Sequence, residues 1–193
     1  PRAPGGAPAP RAAPRFPRIP RVIAAVDPFD YGWWLASRAA GIIAIVLVSA
    51  SVGLGLAMAA REARRPGMNV VLRRLHQYIA VGALIAIAGH GLFLLADTWL
   101  HPGLVGITVP FAMDYRPLWT GLGIIAGWSV AVLGLTYWAR KRIGVQRWKT
   151  IHRFTLLAYV LAVVHVLGAG TDASTVWLRL ILLAAAAPIP YFL

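Results

Sequence analysis

An all-α bundle of membrane-spanning helices is what this sequence predicts, and three observations predict it. Of its 193 residues 59% are hydrophobic and only 13% are charged, against about a quarter charged in ordinary soluble domains. The mean hydropathy is +0.69. The apolar residues fall in long runs separated by short arginine and lysine clusters, so the formal charge of +13 reads as membrane-flanking charge rather than a nucleic-acid face. Membrane lipid is therefore an expected partner and nucleic acid is not. Cysteine is absent, which excludes disulfides, zinc–thiolate sites, iron–sulfur clusters and thiol nucleophiles from this chain.

Residues 1–32 form a Pro/Arg-rich tail whose composition buries too little apolar surface to order itself, so partial disorder is expected there. The chain begins with Pro1 rather than Met, and a segment removed or left out upstream is expected. Residues 33–193 form the membrane domain. Its first apolar run, 33–60, is broken only by Arg38 and three serines and exceeds the roughly 20 residues that cross a bilayer. Further spans are expected over 70–96, 118–139, 151–167 and from 176 onward. That makes five visible spans, with a sixth allowed in the full chain.

Lys and Arg in short loops favour the cytoplasmic side. The basic loops 61–75 (Arg61, Arg64, Arg65, Arg73, Arg74) and 140–150 (Arg140, Lys141, Arg142, Arg147, Lys149) are expected inside. The connection 97–117 has Arg116 against Asp97 and Asp114, and the last loop has Asp172. Both belong outside. The tail disagrees: with five spans it lies outside, although it carries Arg2, Arg11, Arg15, Arg18 and Arg21. The internal loops weigh more, because an upstream helix would reverse the expectation for the tail alone.

Four of the five histidines lie in two spans: His76 and His90 in the second, His152 and His165 in the fourth. Ionisable groups in hydrocarbon are costly and mark function by default. His76 and His90 are 14 residues apart, about 21 Å along a helix and within about 40° of one face. His152 and His165 are 13 apart, about 20 Å, so each helix offers an imidazole at matching inner and outer depths. Two facing imidazoles are what six-coordinate haem requires. The implied pairs are His76 with His152 for the inner haem iron and His90 with His165 for the outer. On a straight helix, however, 13 residues leave the side chains about 140° apart, so tilt or local rewinding is required. Neutral histidines bonded to neighbouring helices, or a proton relay, are the alternatives.

The segments LRRLHQYIAVGALIAIAGH and WKTIHRFTLLAYVLAVVH resemble the transmembrane haem domain of the ferric reductase and NADPH oxidase superfamily, including the haem subunit of periplasmic methionine-sulfoxide reductase systems. The resemblance covers roughly residues 33–193. It implies two stacked b-type haems ligated by His76, His90, His152 and His165, and the same unequal spacing of 14 and 13 works in that family. It also implies transmembrane electron transfer, in an integral membrane protein expected in a bacterial plasma membrane. Members of this type usually continue into a cytoplasmic FAD and NADPH domain, and no strand–turn–helix unit with a glycine-rich fingerprint occurs in these residues. The chain is thus expected to be the electron-transfer component of an oxidoreductase, with its donor (a flavoprotein or membrane quinol) and its outer acceptor (a redox protein or metal) elsewhere.

Haem propionates need basic partners near the membrane surfaces. Arg73, Arg74 and Arg153, with Lys149, flank the inner ligands; Arg38 and Arg179, with Arg116, lie near the outer ends of their spans. Snorkelling and topology are the favoured explanation of any one inner base, while outer positions gain nothing from the positive-inside rule. Trp33, Trp34, Trp99, Trp119, Trp148 and Trp177 read as an interfacial belt. The segment HPGLVGITVPFAMDYRP is a candidate lid over the outer site, and its His101 is a polar surface residue or an isolated ligand. The competing functions are a membrane anchor or assembly subunit of a larger respiratory or photosynthetic complex, and a small transporter with a histidine relay.

Overall fold

The computed structural model describes residues 31–60 and 67–186, and the expected tail therefore lies almost wholly outside the described residues, as do 61–66 of the first basic loop and 187–193 of the last span. Seven helices occur among the described residues: α1 (Gly32–Ala59), α2 (Met68–Leu95), α3 (Gly103–Thr108), α4 (Pro117–Ile143), α5 (Val145–His152), α6 (Thr155–Ala169) and α7 (Val176–Ala186). No strand appears among those residues. Four stretches are long and apolar enough to cross a membrane: α1, α2, α4 and the combined α5–α6 run Val145–Ala169, of 28, 28, 27 and 25 residues. A helix, α7, begins at Val176, where the fifth span is expected to start, and its described 11 residues are too few to cross a membrane.

The sequence predicts a basic loop over 140–150, and here the chain differs. It stays helical except at Gly144, whose φ of +91° makes the corner between α4 and α5. Arginine, lysine and glutamine are good helix formers, so their charge ends an apolar run without ending a helix. Arg140, Lys141 and Arg142 occupy the last turn of α4, where cations suit the carbonyl end of the helix. At its other end α4 begins with Pro117, a position where the missing N–H removes nothing from the helix.

α1 packs along α2, and α4 along α6. Both pairs run antiparallel: Ser37 meets His90 where Ser51 meets His76, and the N-terminal end of α4, at Trp119, meets the C-terminal part of α6 at His165. The two hairpins touch mainly through α1 against α6 and α7, and more weakly through α2 against α4. α2 and α6 consequently run parallel to each other on opposite sides of the space between the hairpins. The buried cluster Ile45, Val48, Ala83, Tyr159, Leu178 and Leu182 seals the middle of the bundle. Within it Ser49, 1% exposed, donates to the Ile45 carbonyl at 2.7 Å and can accept from the Tyr159 hydroxyl at 3.2 Å, so the buried hydroxyls are satisfied and α1 is tied to α6. Large apolar residues such as Ile85, Leu92, Val132, Leu135 and Leu157 point outward and are exposed, a surface that suits lipid better than water.

Candidate functional site

The four membrane histidines meet in the two expected pairs. His76 and His152 have ring centres 6.2 Å apart with planes at 87°; His90 and His165 have ring centres 6.4 Å apart at 69°. Two imidazoles sharing one metal at about 2.0 Å from each nitrogen have ring centres roughly 6.3 Å apart. An imidazole–imidazole hydrogen bond would bring them to about 5.2 Å. Both ring-centre separations match the first value rather than the second.

Three of the rings are oriented by backbone carbonyls. The Nδ1–H of His90 donates to the Ser37 carbonyl at 2.8 Å, that of His76 to the Ser51 carbonyl at 2.9 Å, and that of His165 to the Trp119 carbonyl at 2.9 Å. This assignment leaves each Nε2 without a proton, the tautomer a metal ligand requires. Ser37 adds its hydroxyl, which donates to the His90 carbonyl at 2.8 Å and lies 3.0 Å from Nδ1. The Ser51 hydroxyl is 3.2 Å from Nδ1 of His76.

Four residues after each of these carbonyls stands a glycine: Gly41 after Ser37, Gly55 after Ser51, Gly123 after Trp119. A Cβ at Gly41 would lie 3.1 Å from His90 Nδ1 and one at Gly55 3.6 Å from His76 Cε1, while one at Gly123 would overlap the His165 ring. The glycines let an imidazole lie against the helix and reach the carbonyl one turn back. Gly123, which also reads as a small residue for helix packing, is here the floor under a histidine.

The unequal spacing has a visible cause. The His152–His165 run is not one helix: α5 ends at His152, Arg153 and Phe154 form a turn, and α6 starts at Thr155. Phe154 N–H bonds to Ile151 and Leu156 N–H to Arg153, i→i−3 closures that overwind the chain by about 20° per residue. That is the direction the pairing needs, and the two closures supply about 40° of the roughly 140° required.

A cavity of about 1000 Å³ surrounds the His90–His165 pair, walled by Ser37, Gly41, Ile45, Ile87 and Ala162 among others. The α2–α4 connection closes its end with Gly106, Ile107, Met113 and Tyr115, as expected of a lid. Arg38 also lines it, but its Nε and one Nη donate to Asp172 at 2.5 and 2.6 Å, fastening α1 to the α6–α7 loop. With Arg38 a third exposed, Asp172→Asn is expected to lower unfolding stability by only about 0.2–1 kcal/mol; denaturant titration followed by circular dichroism measures it. Arg179 is exposed and donates to the Ala173 carbonyl at 2.9 Å. Arg73, Arg74 and Arg153 are exposed near the His76–His152 end. His101 stands apart from the four, with φ +42°, beside a separate pocket of about 170 Å³ shared with Asp114 and Tyr115.

Sequence reasoning missed Ser37, Ser51, Gly41, Gly55 and the carbonyl of Trp119. A signal was present, because Ser37 and Ser51, and Gly41 and Gly55, repeat at the 14-residue interval of His76 and His90. Among the described residues no three His, Cys, Asp or Glu side chains gather as a bare metal-ion site would need. Compared with known proteins, the chain matches no family, no curated protein and no solved structure.

Proposed function

We propose that the chain is a membrane-embedded di-haem b-type cytochrome of the ferric reductase-like kind, carrying electrons from a donor on one side of the bilayer to an acceptor on the other. The observation that carries this reading is the pairing, at two depths, of the two α2 imidazoles with His152 of α5 and His165 of α6, with ring centres 6.2 and 6.4 Å apart. Two ligands per site leave four coordination positions, which suits a macrocycle bringing four nitrogens of its own. The absence of cysteine fits non-covalent attachment. Bound haem iron supplies reversible one-electron chemistry, tuned by its axial ligands. The residues of this chain do the rest: His76 with His152 and His90 with His165 hold the two centres, the Ser37, Ser51 and Trp119 carbonyls fix ring orientation, and the apolar bundle excludes water.

The His76–His152 end carries Arg73, Arg74, Arg140, Arg147 and Lys149, and the positive-inside rule assigns it to the cytoplasm. The opposite end carries Asp97, Asp114 and Asp172 and faces outward. Electrons enter from a flavoprotein or membrane quinol at the basic face and leave to a redox protein or metal beyond the cavity. A plasma membrane of bacterial type suits this arrangement.

The test is a reduced-minus-oxidised spectrum with haem extraction, followed by sided reagents in sealed vesicles. Two extractable b-type haems per chain are expected. A reductant confined to the Arg140 side should reduce both, and an impermeant oxidant on the Asp114 side should reoxidise them. A folded, colourless preparation from haem-replete cells would sink the reading; a haem-loaded protein that both reagents reach from one face only would sink the transmembrane direction.

A further inference from the structure

Three of the four imidazoles are held by one device, a backbone carbonyl with a glycine four residues later, and on α1 the device repeats at a 14-residue interval. Moving 14 residues along α4 from Trp119 and Gly123 gives Leu133 and Tyr137, the positions that should hold His152. There the glycine is gone and the carbonyl contact is weakened. The Leu133 carbonyl lies toward His152 without reaching hydrogen-bond geometry, and it accepts the Thr136 hydroxyl at 2.6 Å instead. Tyr137 replaces the glycine. The Nδ1 of His152 is buried with no hydrogen-bond partner, a cost normally avoided for an interior polar atom.

His152 has a different support. Trp148, one turn earlier on α5, stacks on its ring with centres 5.0 Å apart and planes at 26°. The indole is seated in turn against Tyr137 at 5.9 Å, and the Arg140 guanidinium lies 3.8 Å from the centre of the Tyr137 ring. An aromatic four residues from a histidine on a helix is often a mere neighbour. Here the stack coincides with the one imidazole whose carbonyl stays short of hydrogen-bond geometry.

We propose that Trp148 is the positioning residue of the His76–His152 site, holding His152 by stacking where the other three imidazoles are held by a carbonyl. The inference rests on the haem reading above. An imidazole that donates no Nδ1 hydrogen bond is a weaker base and is free to turn about its side-chain bonds. Its hold on iron then depends on the indole, and the two sites of one chain differ in how readily an axial ligand can leave. The His90–His165 site, clamped on both sides, is closed to added ligands. The His76–His152 site is closed only while Trp148 stays in place.

The experiment uses the full chain carrying its haems, with Trp148→Leu and Trp148→Phe, and compares low-spin absorption, carbon monoxide difference spectra of the reduced protein and haem retained per chain. In the wild type both centres should be low-spin and silent to carbon monoxide. Trp148→Leu should leave the His90–His165 centre intact while the other, about half of the haem, is lost or becomes carbon monoxide-binding, with retention roughly 10- to 100-fold weaker. Trp148→Phe keeps a stacking ring and should keep the low-spin site, which a requirement for the indole N–H or its full volume would not allow. Repeating the pair in a His165→Ala background assigns the whole signal to the His76–His152 site. An unchanged low-spin spectrum in Trp148→Leu overturns the inference, as does a Phe variant that falls with the Leu variant, and both leave the haem reading standing. A wild-type chain without haem overturns both.

Discussion

Replacing His90 or His165 with alanine should remove one of two haems and leave the other spectroscopically intact. On the proposed di-haem reading each iron would have two protein ligands, and the two pairs are separated by about 20 Å of helix, so loss of one imidazole would open one centre alone. Haem extracted per chain should fall by about half for any single replacement, because five-coordinate haem with no second support is retained poorly. His76→Ala and His152→Ala should remove the opposite centre, and the His76→Ala/His90→Ala double variant should be colourless. Redox titration of the singles then reads the two centres one at a time. The pairing is wrong if His90→Ala and His152→Ala lose the same spectral component while circular dichroism still shows a folded bundle. A histidine proton relay predicts a different pattern, with no visible absorption to lose in any of the four.

The shell around those ligands should matter less, but measurably. Outer partners of metal-bound histidines typically contribute 10- to 100-fold in affinity. The share of the site legible in the sequence follows from this distinction between ligand and support. The histidines announce themselves, because an ionisable side chain in hydrocarbon needs a reason and spacings of 14 and 13 bring both sets to matching depths. The carbonyls do not. Every residue has one, so nothing in the side chains of Trp119 or Leu133 says that its backbone is an acceptor, and Trp119 reads as interfacial belt. Ser37 and Ser51 were legible in principle, through the same 14-residue interval.

Helix boundaries show the same division. Apolar run length placed the starts and ends of α1 and α2 within two residues, since burial in lipid is what those runs encode. It misplaced the corner between α4 and α5, where arginine and lysine end the apolar run but continue the helix. The turn at Arg153 and Phe154 has no glycine or proline to mark it. Only the awkward angle between His152 and His165 on a straight helix pointed to it, and that angle stated the need without the location. The Arg38–Asp172 pair joins residues 134 positions apart. No local pattern encodes such a contact, and Arg38 read as a propionate partner because its depth was all the sequence supplied.

The second large effect concerns the glycines under the rings, where a single methyl group should decide whether a haem is kept. A Cβ at Gly123 would overlap the His165 imidazole, one at Gly41 would come to 3.1 Å of His90 Nδ1, and one at Gly55 only to 3.6 Å of His76. Gly123→Ala should therefore push His165 off its carbonyl and off the iron axis, losing most of the His90–His165 haem. Gly41→Ala should weaken the same centre in part, since the ring must yield by a few tenths of an ångström. Gly55→Ala should stay near wild type. Overpacking of this kind costs about 1–3 kcal/mol, enough to outweigh the roughly 1 kcal/mol by which alanine favours a helix over glycine. Gly82→Ala is the control for ordinary helix packing: it also sits mid-helix, and its added Cβ meets only the end of Leu47 at 3.5 Å. Haem extracted per chain, compared with helix content from circular dichroism, separates ligand displacement from unfolding. The order Gly123, Gly41, Gly55 follows from ring contact and not from helix propensity, which would make all three substitutions alike and mildly stabilising. A Gly123→Ala chain that keeps both haems at full occupancy would mean that His165 does not rest on α4 as the geometry places it, and the Trp119 carbonyl would lose its role with it.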